Sequence, residues 1–142
     1  MYVKDCMHTE PITVSPDDLV SMAFQRMRGH RIRHLPVVDG KTLVGIITDR
    51  DIRRAGPSDE PHMAEYELRY LLEKMTVKDV MTTNTITVQP DTPIAEAGQL
   101  FIDKKFGCLP VLADDNTLQG ILTVTDLLRA YVKRHEESGQ AS

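Results

Sequence analysis

The sequence predicts an α+β protein built from two copies of one βαββα unit packed about a pseudo-twofold axis. Three observations carry this: the chain repeats itself, each copy holds the same order of strand and helix patterns, and one copy alone is too short to bury a core. Residues 3–38 and 77–112, offset by 74, share 15 identities in 36, and residues 43–55 and 118–130, offset by 75, share 7 in 13. Unrelated segments would share about three, at ~6% per position, so the duplication fixes architecture more firmly than local propensity. The one-residue slip falls where Asp39-Gly40-Lys41-Thr42 faces Ala113-Asp114-Asp115-Asn116-Thr117, turn-rich stretches in which a hairpin loop absorbs the difference. A unit of about 50 residues cannot bury a self-sufficient core, so the copies are expected to pair as an intramolecular version of a symmetric dimer.

Each element then follows in order. Ile12-Thr13-Val14 and Ile86-Thr87-Val88 are β-branched and stop short of Pro16 and Pro90, which reads as a brief leading strand. An amphipathic helix comes next, with Leu19, Met22, Ala23 and Met27 matched by Ile94, Ala97 and Phe101 at helical spacing; Asp18 and Thr92 are expected caps, and Pro93 suits a first helical position. Apolar runs at 35–38 and 43–48, and again at 109–113 and 118–123, flank the hairpin loops. These strands complete three-stranded sheets, each covered on one side by two helices. A second helix starts near Asp49 in one copy and near Thr125 in the other, with Leu127, Leu128 and Tyr131 on one face.

Between the copies, Gly56-Pro57-Ser58-Asp59-Glu60-Pro61 breaks the pattern. A linker helix is then expected over 63–74, its stripe of Leu68, Leu71, Leu72 and Met75 covered either by its own pair or by another subunit. The expected division is a first repeat at 1–56, a linker with helix at 57–75, a second repeat at 76–135, and a polar, disordered tail at 136–142.

Composition narrows the class. With 41% hydrophobic and 27% charged residues the chain is an ordinary globular protein. It has no apolar run long enough to cross a bilayer and no signal pattern at its start, so it reads as cytoplasmic. Cys6 and Cys108 are too few and too far apart for a disulfide framework or a zinc site, and no metal is expected. The net charge of −4 argues against bulk nucleic-acid or membrane affinity. It hides an island, because residues 26–54 carry eight Lys and Arg against three acids. Such an island fits a compact anion or, equally, a solvated helix face.

The repeated signature is Gly45-Ile46-Ile47-Thr48-Asp49-Arg50-Asp51, echoed by Gly120-Ile121-Leu122-Thr123-Val124-Thr125-Asp126. A glycine opens a strand, a threonine closes it, and an aspartate stands three residues later in the first helical turn. A helix start favours an anion, and an aspartate there can accept two hydrogen bonds from the vicinal hydroxyls of a ribose. In a single copy the plainer reading is that Thr caps the helix and Asp satisfies its dipole. Ahead of the third element the first copy reads His30-Arg31-Ile32-Arg33-His34 and the second Lys104-Lys105-Phe106-Gly107-Cys108. Cationic phosphate donors therefore cluster in the first copy, although His30 and His34 also suit ordinary surface positions. Cys108 reads as a small buried hydrophobe.

The duplicated unit, its Leu-Pro-Val-Val strand (Leu35, Pro36, Val37, Val38; then Leu109, Pro110, Val111, Leu112) and its paired Gly-x-x-Thr-x-x-Asp endings resemble cystathionine-β-synthase (CBS) domains in a tandem pair, or Bateman module. The resemblance spans about residues 3–134. The opening Tyr2-Val3-Lys4-Asp5-Cys6-Met7, the segment through Tyr66-Glu67-Leu68, and Thr76-Val77-Lys78-Asp79-Val80-Met81 further resemble the CBS pair of the acetoin-utilisation AcuB group, whose C-terminal ACT domain has no counterpart in these 142 residues.

The resemblance implies a non-catalytic regulatory module that binds adenosine-containing ligands in clefts between the repeats. These are AMP, ADP or ATP, with S-adenosylmethionine or NAD as further members of the class, and no cofactor is required. It implies Asp51 and Asp126 at ribose hydroxyls, Thr48 and Thr123 at phosphate or sugar, and Arg33, His34 and Arg50 at phosphate. Thr13, Thr87, Leu35, Pro36, Leu109 and Pro110 would line the base pocket. It also implies a homodimer through helices and an effector protein that receives the signal. The alternative is a ligand-free scaffold acting in dimerisation or protein–protein interaction. No Ser/His/Asp grouping, metal set or glycine-rich phosphate loop supports an enzyme, and with 5% aromatics no nucleic-acid-reading motif stands out.

Overall fold

The computed structural model describes residues 1–55, 70 and 72–140, with side chains through Glu136. It divides into two compact units, Ile12–Thr85 and Met1–Pro11 with Ile86–Ser142. Small sheets and helices alternate in both, the expected α+β class. The units differ from the sequence repeats in one respect: residues 1–11 pack with the second repeat, and the stretch ending at Thr85 packs with the first. The reason lies in two valines. Val3 is buried in the core of the second unit and Val77 in that of the first.

In the Ile12–Thr85 unit, helix α1 (Val20–His30) precedes an antiparallel hairpin of β2 (His34–Asp39) and β3 (Thr42–Thr48), followed by α2 (Asp49–Ala55) and a short α3 (Val77–Val80). Gly40, at φ 65°, turns the hairpin, a left-handed position that costs glycine least. The expected strand at 12–14 is reduced to one parallel bridge, Val14 to Val37, with Pro16 just beyond it unable to donate to a ladder. On the other edge a single bridge joins Ile46 to Thr82, with hydrogen bonds of 2.9 and 2.8 Å. The core gathers Val14, Val20, Ala23, Met27, Leu35, Val37, Ile47, Ile52, Leu72 and Val77.

The linker helix expected at 63–74 lies outside the described residues except at Tyr70, Leu72, Glu73 and Lys74. Leu72 is fully buried and Met75 packs against the same core, so these two stripe positions are covered within their own unit.

The other unit opens with a 3-10 turn at Val3–Asp5 and β1 (His8–Thr9), then resumes with α4 (Ile94–Lys104), β4 (Cys108–Leu112), β5 (Leu118–Thr123) and α5 (Val124–Gln140). Its sheet has the order β1-β5-β4. The third strand is thus His8–Thr9 rather than the expected 86–88, which forms only the bridge Val88 to Val111. The core is Val3, Val88, Ala97, Phe101, Leu109, Val111 and Leu122. Both hairpins carry an irregularity at the same place, between Val37 and Val38 and between Val111 and Leu112, as a duplicated fold should.

Two helix boundaries depart from expectation. Asp18 and Thr92 are not caps: the N-cap positions are Leu19 and Pro93, without side-chain cap bonds. Their side chains instead close the preceding turns, Asp18 accepting from the Ser15 N–H at 2.8 Å and Thr92 from the Gln89 N–H at 3.0 Å. The first N–H of each helix is satisfied by backbone, Val20 by the Met75 carbonyl and Ile94 by that of Met1, which makes a side-chain cap redundant. The second departure is the tail, where α5 continues through Gln140. Its two glutamates are good helix formers and nothing before Gly139 interrupts it.

The signature glycines have a packing role. A Cβ at Gly45 would lie 2.8 Å from the Thr82 carbonyl oxygen, and one at Gly120 only 2.5 Å from that of His8. Bare backbone lets residues 81–82 lie against β3 and residues 7–8 against β5. Gly45→Ala and Gly120→Ala should each lower the urea unfolding free energy by about 1–3 kcal/mol. Gly29→Ala, in α1 with open space around it, should be neutral or slightly stabilising. Wild-type stability in Gly120→Ala would contradict this packing.

Burial, reinforced by the Asp126 charge, pushes the Cys108 thiol from 9.0 up to about 12. The folded state therefore favours the neutral thiol, and the stability this adds is present below pH 9 and lost as pH rises toward 12. Burial also raises the Cys6 thiol. At pH 8 a thiol reagent should modify Cys6 slowly and Cys108 only in denaturant; equal rates for the two would refute the buried assignment.

Candidate functional site

At the end of β3 the chain passes directly into α2, and at the end of β5 into α5. Thr48 and Asp51 close the first junction reciprocally: the Thr48 N–H donates to Asp51 Oδ2 at 3.0 Å, and the Asp51 N–H donates to Thr48 Oγ1 at 3.0 Å. Thr123 and Asp126 repeat it at 2.8 and 3.2 Å. This is a capping box with Asp in the acidic position. The repeated signature therefore does structural work at both junctions, as the plainer sequence reading held. One carboxylate oxygen, Oδ2, is committed to the cap. The other, Oδ1, keeps acceptor capacity, because a carboxylate offers about four lone-pair sites.

What reaches Oδ1 differs between the units. Thr82 Oγ1 donates to Asp51 at 3.2 Å, with Oδ2 at 3.4 Å. At Asp126, Arg129 Nη1 stands 3.4 Å from Oδ1, the guanidinium largely exposed and the carboxylate largely buried. Sequence reasoning missed both neighbours. The i,i+3 spacing of Asp126 and Arg129 was a readable signal; Thr82 lies 31 residues from Asp51 and gave none.

Around the first box the structure gathers several expected residues. His34 pairs in register with Thr48 across the hairpin, and the Asp49 N–H donates to the Arg33 carbonyl at 2.8 Å, so the strand mouth and helix start are tied together. Arg33 and Arg50 are exposed and His34 half-buried. Part of the basic island is already engaged: Arg53 pairs with Asp49 at 3.1 Å, Arg28 lies over the Phe24 ring, and Arg26 Nη1 donates to the Thr13 carbonyl at 2.5 Å.

Thr13 sits beside β2, where the Val14 N–H donates to the Pro36 carbonyl at 3.1 Å; Thr87 sits likewise beside β4, through Val88 and Pro110 at 3.0 Å. Leu35 and Leu109 are fully buried core residues, so their side chains are committed to the two cores. In the second unit Cys108 takes the place of His34, in register with Thr123, and Gly107 that of Arg33, so these two positions carry no charge.

Comparison with known proteins gives the family. The CBS domain family model matches residues 3–58 and 77–133. The chain is 36% identical over 135 residues to a CBS domain-containing protein of Dictyostelium discoideum, covering 92% of this chain and 91% of that one. It is 37% identical over 118 residues to an inosine-5'-monophosphate dehydrogenase of Korarchaeum cryptofilum, covering 82% of this chain but 21% of the enzyme. Among solved structures, a Vibrio cholerae protein assigned to acetoin utilization (AcuB) superposes with a TM-score of 0.83 at 29% identity, covering 100% of this chain and 98% of that one. CBSX2, from Arabidopsis thaliana, solved with AMP, gives 0.80 at 30% identity over 94% and 98%. The CBS pair of MJ0100, solved with 5'-methylthioadenosine and S-adenosylmethionine, gives 0.75 at 30% identity over 94% and 98%. With the domain matched twice along most of its length, the chain belongs to the CBS-domain family as a tandem pair.

Proposed function

We propose that this chain is a non-catalytic, cytoplasmic regulatory module that binds an adenosine nucleotide of the AMP, ADP or ATP class and signals to a partner protein by conformational change. The observation that carries the reading is that the cap on Asp51 and Asp126 uses only Oδ2, which leaves acceptor capacity on Oδ1 beside the Thr82 hydroxyl and the Arg129 guanidinium. A carboxylate fixed in this way is preorganised to accept from the diol of a ribose. The complexes of the related CBS pairs with AMP and with S-adenosylmethionine support the ligand class. In this reading Thr48 and Thr123 lie at the sugar or phosphate and Arg33, His34 and Arg50 at phosphate. Thr13, Thr87, Pro36 and Pro110 border the base, with Leu35 and Leu109 contributing backbone only.

Calorimetric titration tests it. Asp51→Ala and Asp126→Ala should each weaken AMP binding at their own site at least tenfold, thermal melts confirming that both variants stay folded. Unchanged affinity in both would remove the site assignment.

A second reading, a ligand-free scaffold, draws on a different observation. Val124, Leu128, Tyr131 and Val132 leave an apolar stripe on α5, with Leu128 58% and Tyr131 63% exposed, and helices are where a homodimer would form. Sedimentation should show a dimer that Leu128→Glu converts to monomer; a monomeric wild type at tens of micromolar would count against it. If AMP and ATP at 100 times a plausible Kd leave the melting temperature unmoved, where a bound ligand would add about 2.7 kcal/mol, the scaffold reading replaces the nucleotide one.

A further inference from the structure

The basic island of the first repeat extends beyond the strand mouth. Helix α2 has three exposed positions, and all of them are arginine: Arg50, Arg53 and Arg54. They fall at i, i+3 and i+4, on one face and away from the buried Ile52. His34 stands in register with Thr48, and the Asp49 N–H donates to the Arg33 carbonyl at 2.8 Å, so the end of α1 and the start of α2 lie at the same end of the hairpin. There Arg31 and Arg33, also exposed, extend the arginine face. The acids of α2 are occupied, Asp49 by Arg53 at 3.1 Å and Asp51 by its cap on Thr48. Like charges one turn apart destabilise a helix, and the fold does not demand them here: Thr125, Leu128 and Arg129 stand at the matching positions of α5.

We propose that this arginine face docks an acidic segment of a partner protein. It rests on the partner-signalling role proposed above and gives that partner a chemistry. An arginine fork takes a carboxylate through two parallel hydrogen bonds. Arg50 and Arg54, four residues apart at ~1.5 Å rise, are separated by about 6 Å along the axis, a spacing that carboxylates at i and i+4 of an acidic helical segment repeat. Nucleic acid fits less well. Single strands are held by aromatic side chains that stack on bases, and Phe24, the aromatic residue of α1, is half-buried with the Arg28 guanidinium over its ring. Arg53 and Arg54 lie outside the nucleotide contacts assigned to this repeat, so the docking face can be altered without removing any of those contacts.

Fluorescence anisotropy on the full chain tests it, with labelled octaglutamate as the acidic probe, a labelled oligouridine as the nucleic-acid probe, and AMP followed separately by calorimetry. Octaglutamate should bind at low ionic strength and weaken as salt screens the charges. The double variant Arg53→Gln with Arg54→Gln, its fold checked by thermal melting, should weaken octaglutamate at least tenfold and leave AMP within twofold. Lys104→Gln with Lys105→Gln removes the same charge from the second repeat and should leave octaglutamate within twofold. No octaglutamate binding at low salt, or equal weakening by the two double variants, would overturn the docking face. Oligouridine bound at least tenfold more tightly than octaglutamate, and lost with Arg53 and Arg54, would overturn it too and make the face a nucleic-acid surface. The AMP titration separates the two readings: a chain that binds octaglutamate but no AMP keeps the docking face and loses the nucleotide, and the reverse result keeps the nucleotide and loses the docking face.

Discussion

The reciprocal Thr–Asp cap at each strand-to-helix junction is the constraint on which the rest depends. It satisfies backbone donors that a helix start would otherwise leave unpaired, it joins β3 to α2 and β5 to α5 without an intervening loop, and it fixes the rotamer of a carboxylate. The structural and the chemical readings of the motif are therefore one arrangement seen from two sides. An aspartate held by its own helix has already lost the freedom that ligand binding would otherwise have to take from it.

Close approach of an edge segment to each signature glycine sets what stands around each carboxylate. Because Gly45 and Gly120 have no side chain, residues 81–82 and 7–8 lie against β3 and β5. That contact brings the Thr82 hydroxyl to Asp51. The matching residue in the other unit is His8, and there a helix arginine takes the place of the hydroxyl at Asp126. Two copies of one scaffold thus offer the same acceptor in different electrostatic settings, one beside the basic strand mouth of Arg33 and His34, the other beside the Arg129 guanidinium.

Much of this was legible in the residues. The duplication, the hairpins with Gly40 and Asn116 at left-handed turn positions, the helices and the Thr-x-x-Asp endings all carry local signals. What escaped was non-local. The β-branched runs at 12–14 and 86–88 have strand propensity, yet each keeps a single bridge, while His8 and Thr9, with little local signal, form the third strand of the second sheet because β5 offers them an open edge. Asp18 and Thr92 looked like caps by position, yet backbone carbonyls from Met75 and Met1 already served those N–H groups. The reassignment of Val3 and Val77 between repeats could not be read from a pattern that treats both copies alike.

The most direct measurement is a crystal structure of this chain grown with AMP. The account predicts ribose hydroxyls within about 3 Å of Asp51 Oδ1, with the Thr48 cap intact and the Thr82 hydroxyl turned toward the ligand or displaced. An AMP bound with its ribose away from both aspartates, while Thr82 and Arg129 keep their present contacts, would contradict it.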